Sequence, residues 1–333
     1  DWVLICASPE EMTKRGFRPV GKDFPVFLHP VSGEEYALAR RERKTRPGYT
    51  GFATETGSDV TLEEDLSRRD LTVNAMAQDP DGGLIDPFGG AQDLNNGILR
   101  HVSDAFVEAP LRVLRVARYG ARYAGRGFAV APETVDLMRR ISASGELASL
   151  VPERIWQETC RALGEADPSE FIRVLQRCDA LAFIFPEIAA LQGVLQNVEH
   201  HPEGDAFVHT LMVLDAATKI SQEKEVRFAA LVHDLGKAKT PQNEWPRHIK
   251  HEHRGVTIVN ALCDRLRVSS DYRELAVLVT REHLLMHRVA ELRPETVLKL
   301  LNRLDGFRRP ERLGSFLTAC RACLLYTSEA ADE

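Results

Sequence analysis

The chain has 333 residues, of which 44% are hydrophobic and 28% are charged, values typical of a soluble protein with two or more packed domains. Its formal net charge of −6 excludes a surface that coats nucleic acid uniformly, so any contact with RNA must come from local basic patches. No apolar run reaches the length of a membrane span, and the six scattered cysteines indicate reduced cytoplasmic thiols without a zinc knuckle.

The first 60 residues predict strands of a small sheet followed by a basic loop. Residues 1–6 form an apolar run entered by the carboxylate of Asp1, which by itself is typical of a solvated acid at the start of a strand. Residues 24–29 and 34–40 predict two more strands. The basic, glycine-containing stretch 41–56 predicts a flexible loop, either plainly solvated or a flap over RNA or nucleotide.

The stretch 61–90 combines two adjacent arginines and an aspartate with an Asp-Pro-Phe-Gly-Gly run. Asp70 is predicted to cap a helix, because its carboxylate can accept from the free backbone N–H groups of the next turn. The two guanidiniums beside that helix N-terminus predict an anion site. Residues 84–90 predict a short strand broken by a tight turn. Taken alone, the stretch also fits an ordinary capped helix followed by a strand.

The run RRDLTVNAMA, followed by IDPFGG, resembles the bacterial tRNA nucleotidyltransferases, which add CCA to tRNA 3′ ends, and the related poly(A) polymerases. The resemblance extends over residues 1–322. It implies a pair of acids on the first strand that hold two Mg²⁺ ions for phosphoryl transfer, with Asp1 as the second, catalytic acid. The first acid and a glycine-rich phosphate-binding segment would precede Asp1, so the chain as given is expected to be nearly inactive in nucleotide addition.

Residues 111–123 predict a helix with three arginines along one face. Alone, this pattern is typical of a solvated basic face. The resemblance implies that the incoming ATP or CTP is bound by Arg69, Asp70, Asn74, Arg112, Arg115 and Arg118. Where the family's motif has an aspartate that hydrogen-bonds the base edge, this chain has Ala109, which offers no such acceptor and leaves base selection open.

The C-terminal half predicts a series of helices. Residues 151–158 open a helix that, by the resemblance, braces the nucleotide-binding helices. Residues 171–185 predict an amphipathic helix that ends before Pro186. The run 228–237, FAALVHDLGK, predicts a buried helix that ends at the His-Asp pair, with the glycine as its stop.

HDLGK, with histidines on both sides of it, resembles the HD phosphohydrolases. The resemblance implies a site for Ni²⁺ or another transition metal with the ligands His209, His233, Asp234 and His251. His283 is not included, because Leu284 follows it where an acid would help. Lys237 is a candidate phosphate anchor. Scattered surface histidines are the alternative.

The predicted fold class is α+β. An incomplete polymerase-type nucleotidyltransferase palm sheet is expected over 1–107 and a helical neck and body, which binds nucleotide and tRNA, over 108–185. An all-α HD phosphohydrolase domain is expected over 186–322. Residues 323–333 resemble a translated adapter read and are expected to be non-native.

The predicted function is CCA addition to tRNA from CTP and ATP, with phosphatase or 2′,3′-cyclic phosphodiesterase activity in the HD domain. The expected partners are the tRNA 3′ end, ATP and CTP, with no membrane and with a homodimer left open. Two alternatives are a metal-dependent phosphohydrolase only and a non-catalytic tRNA-binding fragment. A poly(A) polymerase is a further alternative, against which the HD domain argues.

Overall fold

The computed structural model describes residues 2–20, 26–44, 52–57 and 59–329. Two compact units follow from the contacts within the chain. The first comprises Asp1–Arg112 and Phe128–Leu150, and the second comprises Val113–Gly127 and Val151–Glu333.

A four-stranded sheet forms the beginning of the first unit. Its strands are β1 (Trp2–Leu4), β2 (Arg18–Val20), β3 (Val26–Leu28) and β4 (Glu35–Leu38), in the spatial order β1-β4-β3-β2. Strand β1 runs parallel to β4, and the other pairs are antiparallel. Helix α1 (Pro9–Lys14) begins at a capping box and packs Met12 against Phe27 and Leu38. The strands predicted over 1–6, 24–29 and 34–40 are therefore present.

The loop predicted over 41–56 was wrong for the part that the structure describes. Strands β5 (Arg40–Lys44) and β6 (Phe52–Thr56) form an antiparallel pair, and residues 45–51 lie outside the described residues. The Arg41 guanidinium lies 2.7 Å from Glu64 Oε1 on the next helix. The many charged residues of this stretch favoured a loop prediction, but the backbone hydrogen bonds between β5 and β6 stabilise it as a pair of strands.

The helix predicted after Asp70 was also wrong. Helix α2 (Leu62–Ser67) ends before the arginine pair, and only a single 3-10 turn, Thr72–Asn74, follows. Asp70 Oδ1 accepts from Leu71 N at 3.0 Å and from Asn74 Nδ2 at 3.2 Å. The carboxylate thus stabilises a turn between two extended segments, because Asp side chains favour such local bonds. The α-helix N-terminus on which the predicted anion site was based is therefore absent from this described segment, and anion binding by the arginines stays a prediction.

The Asp-Pro-Phe-Gly-Gly run joins the hairpin of β7 (Ala77–Gln78) and β8 (Leu84–Ile85) to helix α3 (Gly90–Asn96). Asp86 accepts from Gly90 N at 2.7 Å and from Ala91 N at 2.9 Å, which satisfies free N–H groups of α3. A Cβ on Gly90 would lie 2.2 Å from Thr72 O. The glycine therefore allows α3 to contact the 3-10 turn after Asp70.

Two strands and two longer helices follow. Strand β9 (Ile98–Leu99) pairs in parallel with β10 (Ala129–Val130), and between them in sequence lies α4 (Leu111–Tyr123), whose bounds are those predicted. Helix α5 (Pro132–Ser144) belongs to the first unit, whereas α4 from Val113 onward belongs to the second.

The second unit is helical. Helices α6 (Pro152–Ala162) and α7 (Pro168–Arg177) each have proline in the first turn. The single helix predicted over 171–185 was wrong, because the chain turns at Asp179, where φ is 58°, before the short α8 (Leu181–Ile184) and α9 (Pro186–Ala189). Aspartate tolerates this left-handed conformation better than most residues.

Six helices form the C-terminal array: α10 (Ala206–Ile220), α11 (Lys224–Val232), α12 (His251–Leu266), α13 (Ser270–Met286), α14 (Pro294–Arg303) and α15 (Pro310–Glu329). The buried helix α11 packs against α10, α13 and α15. Cys320 and Cys323, three residues apart on α15, are buried, and none of the six cysteines forms a disulfide. Among the described residues, no helix has both the length and the apolar character needed to cross a membrane. The predicted combination of a small sheet with an all-α C-terminal region is confirmed.

Candidate functional site

The end of the buried helix α11 places a histidine and an aspartate inside the C-terminal array. His233 and Asp234 directly follow Val232, and both are at most 2% exposed. Three more buried histidines come from neighbouring helices: His209 from α10, His251 from the start of α12 and His283 from α13. The structure thus brings together the four predicted ligands and adds His283.

The four imidazoles point the same ring atom at one carboxylate. The Nε2 atoms of His233 and His209 lie 3.2 and 3.7 Å from Asp234 Oδ2. Those of His251 and His283 lie 3.1 and 3.6 Å from Asp234 Oδ1. Each carboxylate oxygen therefore faces two ring nitrogens.

The opposite ring atom, Nδ1, contacts an acceptor in every case. Backbone carbonyls accept from three of the rings: Ala230 O from His233 at 2.8 Å, His248 O from His251 at 2.9 Å, and Val279 O and Thr280 O from His283 at 3.1 Å. His209 Nδ1 instead lies 2.7 Å from the carboxylate of Glu203. Because these oxygens only accept, Nδ1 carries a proton in every ring, and Nε2 of a neutral ring presents a lone pair to the centre.

Burial and neighbouring charges set the protonation states of the cluster. Burial lowers the pKa of His209 to about 4, although Glu203 opposes the shift, and burial also lowers the pKa of His283 well below its usual range. Burial by itself would raise the pKa of Asp234, but the charges of His233 and Lys237 hold that pKa well below the ordinary value. Burial by itself would lower the pKa of His233, but the Asp234 carboxylate, 3.2 Å from its Nε2, raises that pKa well above the usual range. At neutral pH the Asp234 carboxylate is therefore paired with the cations of His233 and Lys237, whereas His209 and His283 are neutral.

The donor set fits a divalent transition metal. Asp234 Oδ1 and His251 Nε2 face each other at 3.1 Å, yet neither atom has a hydrogen-bond partner among the described residues. Two lone pairs at this distance repel unless a cation lies beside them. Three groups of described residues have ligand atoms within 4.8 Å of one another, and two of them share Asp234: His209 with His233 and Asp234, and Asp234 with His251 and His283. The third group is His201, Glu203 and His209. The residues of the two groups that share Asp234 would hold the metal, and imidazole ligands suit nickel, iron, zinc or manganese.

The cluster lies in a cavity of about 560 Å³ with basic groups around it. Arg247, Lys250 and His287 contribute to its lining. Lys237, the predicted phosphate anchor, lies 2.6 Å from Asp234 Oδ2 and also donates to Gln196. The Lys237 ammonium therefore forms an ion pair with the Asp234 carboxylate.

Sequence reasoning missed Glu203. It lies six residues before His209, in a loop rich in turn-forming residues, where an acid is usually solvated. The His-x-Glu-x₅-His spacing of His201, Glu203 and His209 was the available signal, and it is weak without knowledge of the loop.

The candidate nucleotide-binding residues of the first unit lie on and around the Arg-Arg-Asp segment. Arg69 donates to Asp65 at 3.2 Å, and its buried Nε has no hydrogen-bond partner among the described residues. Asp70 and Asn74 bond to each other, as described above. Arg112 donates to the backbone carbonyls of Ala105, at 2.5 Å, and Arg68. Arg112 therefore holds the end of the segment in place.

The other candidates differ in their surroundings. Arg118 is 7% exposed, and its Nε donates to Glu158 at 2.8 Å, an ion pair that raises the arginine pKa against the effect of burial. This contact favours a structural role for Arg118, and its nucleotide contact stays a prediction. Arg115 is half-buried on the same helix. Asp1, the predicted catalytic and magnesium-binding acid, lies outside the described residues.

Comparisons with known proteins agree with both parts of the chain. A family profile described as "Poly A polymerase head domain" matches residues 14–100, and one described as "HD domain" matches 206–309. Between them, "Probable RNA and SrmB- binding site of polymerase A" matches 127–192.

Similar proteins cover nearly the whole chain. The multifunctional CCA protein of Nitrosococcus oceani is 58% identical over 322 residues, which are 97% of this chain and 79% of that protein. A structure of a CCA-adding enzyme complexed with ATP has a TM-score of 0.59 at 20% identity, over 99% of this chain and 72% of that one. The Thermotoga maritima CCA-adding enzyme complexed with tRNA has a TM-score of 0.57 at 18% identity, over 99% and 73%. The chain therefore belongs to the multifunctional CCA proteins, a family of tRNA nucleotidyltransferases that also carry an HD domain.

Proposed function

We propose that this chain binds CTP, ATP and the tRNA 3′ end for CCA addition, and that it hydrolyses phosphoesters at the Asp234 centre. The relatives support the first activity, since solved structures of CCA-adding enzymes contain ATP or tRNA. The second activity rests on one observation, the four imidazole Nε2 atoms directed at the Asp234 carboxylate. We also propose a cytoplasmic location and Mg²⁺ for nucleotidyl transfer.

In the first unit, Arg69 is the residue best suited to bind a triphosphate. Its side chain is 35% exposed, and the neighbouring Asp65, which is buried, shares its charge between two arginines. Burial would raise the pKa of Asp65, but Arg68 and Arg69 keep that pKa below its usual value. A guanidinium held in this way offers its remaining N–H groups to phosphate oxygens.

Arg69→Ala should weaken CTP binding by about tenfold or more, because a hydrogen bond to a charged group is worth about 1.5–3 kcal/mol. Isothermal titration with CTP and Mg²⁺ measures the effect. Arg15→Ala, which removes an exposed arginine of the same unit, should leave the Kd unchanged. Equal Kd values for Arg69→Ala and the unmodified chain would remove Arg69 from the site. If the unmodified chain does not bind CTP, the phosphohydrolase-only alternative gains.

In the second unit, the chain's own residues would hold the phosphoester beside the metal. When bound, the metal supplies a water of lowered pKa and polarises the phosphoryl group. Arg247 and Lys250 contribute cations to the cavity lining, where they can bind phosphate oxygens. His248 donates from Nε2 to Leu195 O at 2.8 Å, which fixes the loop that carries both cations. The site therefore suits an anionic ester such as a 2′,3′-cyclic phosphate.

Asp234→Ala should lower hydrolysis of 2′,3′-cAMP by about 100-fold, because it removes the one anionic group shared by all four histidines. Product release is measured with Ni²⁺, Mn²⁺ and Mg²⁺ separately, and circular dichroism checks that the helices persist. His253→Ala is the matched control, because it removes a 68%-exposed imidazole two residues beyond His251 on the same helix. Full activity of Asp234→Ala, or a folded chain that is silent with every metal, would contradict the hydrolase and favour the tRNA-binding alternative.

A further inference from the structure

We propose that Glu203 is a positioning residue that makes one side of the Asp234 centre, formed by His209, His233 and Asp234 Oδ2, the tighter metal position. This inference rests on the metal centre of the proposed function. On the other side, formed by His251, His283 and Asp234 Oδ1, the hydrogen-bond acceptors of the Nδ1–H groups among the described residues are carbonyls, and the carboxylate of Glu252 stays 3.9 Å from His251 Nδ1.

The Glu203 carboxylate is buried and aimed at the ring of His209. Its side chain is 3% exposed, and Oε1 lies 2.7 Å from His209 Nδ1 and 3.3 Å from His201 Nδ1. The second oxygen, Oε2, is buried without a hydrogen-bond partner among the described residues. Gln196 Nε2 also donates to Oε1, at 3.5 Å. Among the described residues, the contacts of the Glu203 carboxylate therefore converge on Oε1, and the shortest of them is the one to His209.

The backbone around Glu203 is held in place by its neighbours. Asp205 caps α10 by accepting from Phe207 N at 2.9 Å and Val208 N at 3.0 Å, and its other oxygen accepts from Gly193 N at 2.7 Å. Because both oxygens of Asp205 are used, the loop that carries Glu203 is fixed to the helix that carries His209. Glu203 can thus set the orientation of the ring.

An anionic acceptor affects a metal ligand more than a carbonyl does. The Nδ1–H bond to Glu203 excludes the other tautomer of His209 and increases the basicity of Nε2. The rings of His233, His251 and His283 donate to neutral carbonyls, which orient the rings without a direct hydrogen bond to an anion. The carboxylate of Glu252, 3.9 Å from His251 Nδ1, is beyond hydrogen-bond distance, whereas Glu203 lies 2.7 Å from His209 Nδ1. The first ion to bind should therefore take the side that contains His209.

The test is a Co²⁺ titration of the metal-free full chain, followed by calorimetry and by the visible absorption of the bound ion. Glu203→Gln keeps the shape and an acceptor oxygen but loses the charge, and it should weaken the first-bound ion by about 10-fold. Glu203→Ala loses the acceptor as well and should weaken it by about 100-fold. Glu199→Gln removes an exposed acid from the same loop and should leave the affinity unchanged.

A second readout needs no metal. In ¹⁵N-edited NMR of the imidazoles, the Nδ1–H of His209 should give a strongly downfield proton signal that moves upfield in Glu203→Gln and is lost to exchange in Glu203→Ala. If Glu203 acted only by its shape, the chemical shift of this proton would be the same in the isosteric glutamine variant as in the unmodified chain. That variant therefore decides the question even if Glu203→Ala does not fold.

Two results would overturn the proposal, and they differ. Co²⁺ binding in which the Glu203 variants keep the affinity for the first ion and the His209 signal would show that Glu203 does not position the ring, while the metal centre stands. An unmodified chain that binds no Co²⁺ would remove the metal centre itself, and the role of Glu203 with it.

Discussion

Gly236→Ala is expected to abolish metal binding at the Asp234 centre and to destabilise the second unit by about 3 kcal/mol. A Cβ on Gly236 would lie 1.9 Å from His251 O and 2.6 Å from Gly255 N. Both atoms belong to the backbone, so no side-chain rotation relieves the clash. Helix α12 would have to move away, and His251 would move with it, away from Asp234.

Gly236 was predicted to be a helix stop, but α11 ends earlier, at Val232, and Gly236 lies in the following 3-10 segment. Its role is the close approach of two backbones that places His251 beside the carboxylate. Isothermal titration with Ni²⁺ should show no binding, and Tm should fall by roughly 6–12 °C.

The control for this variant is Gly314→Ala on α15. A Cβ at Gly314 has no atom within 4 Å, so the alanine should be neutral or stabilise the helix by about 0.5–1 kcal/mol. If Gly236→Ala binds Ni²⁺ as tightly as Gly314→Ala does, the contact between the two backbones does not determine the geometry of the centre.

Arg227→Met should destabilise the second unit by about 3–5 kcal/mol, because it leaves several buried carbonyl groups without a donor. Arg227 is 1% exposed and has no carboxylate partner among the described residues. Burial lowers its pKa, but the guanidinium remains charged at neutral pH.

The charge of Arg227 is stabilised by the ends of two helices. Its Nη1 donates to Leu163 O at 2.8 Å and to Glu165 O at 3.1 Å, just after α6. Its Nε donates to Ser221 O at 2.9 Å, just after α10. Carbonyls at helix C-termini carry partial negative charge, so they replace a counter-ion.

Urea unfolding followed by circular dichroism measures the effect of Arg227→Met. Arg321→Met, which removes an exposed guanidinium from α15, should change the free energy of unfolding by no more than about 0.5 kcal/mol. Equal stability of the two variants would mean that water satisfies the carbonyls once the guanidinium is gone.

Several elements were predictable because their signals are local. Helix α4 has the predicted bounds, and α6 begins at Pro152, within the stretch 151–158 where a helix was predicted to open. The buried run of α11 places the His-Asp pair at its end, as predicted. Side-chain periodicity and first-turn preferences act within a few residues, so they can be read without the rest of the fold.

Other predictions failed where a distant contact decided the conformation. Asp70 fits a helix cap, yet the chain after it forms a 3-10 turn. Gly90, 20 residues on, lies so close to this turn that a Cβ on it would be 2.2 Å from Thr72 O. The strand β5 looked like a solvated loop, but β6 supplies its hydrogen-bond ladder. The intrinsic conformational preference of a few residues contributes less free energy than the backbone hydrogen bonds between paired strands.

By itself, the sequence determined the family, the positions of the longer helices and the histidines and aspartate of the HD motif. The tertiary structure alone decided that His283 joins them, that Glu203 holds His209, and that Arg118 and Arg227 are buried in contacts rather than exposed. The physical reason is that each of these contacts joins different segments of the chain. Such contacts depend on how the helices pack. They also depend on which polar groups become buried, because a buried polar group needs a hydrogen-bond partner.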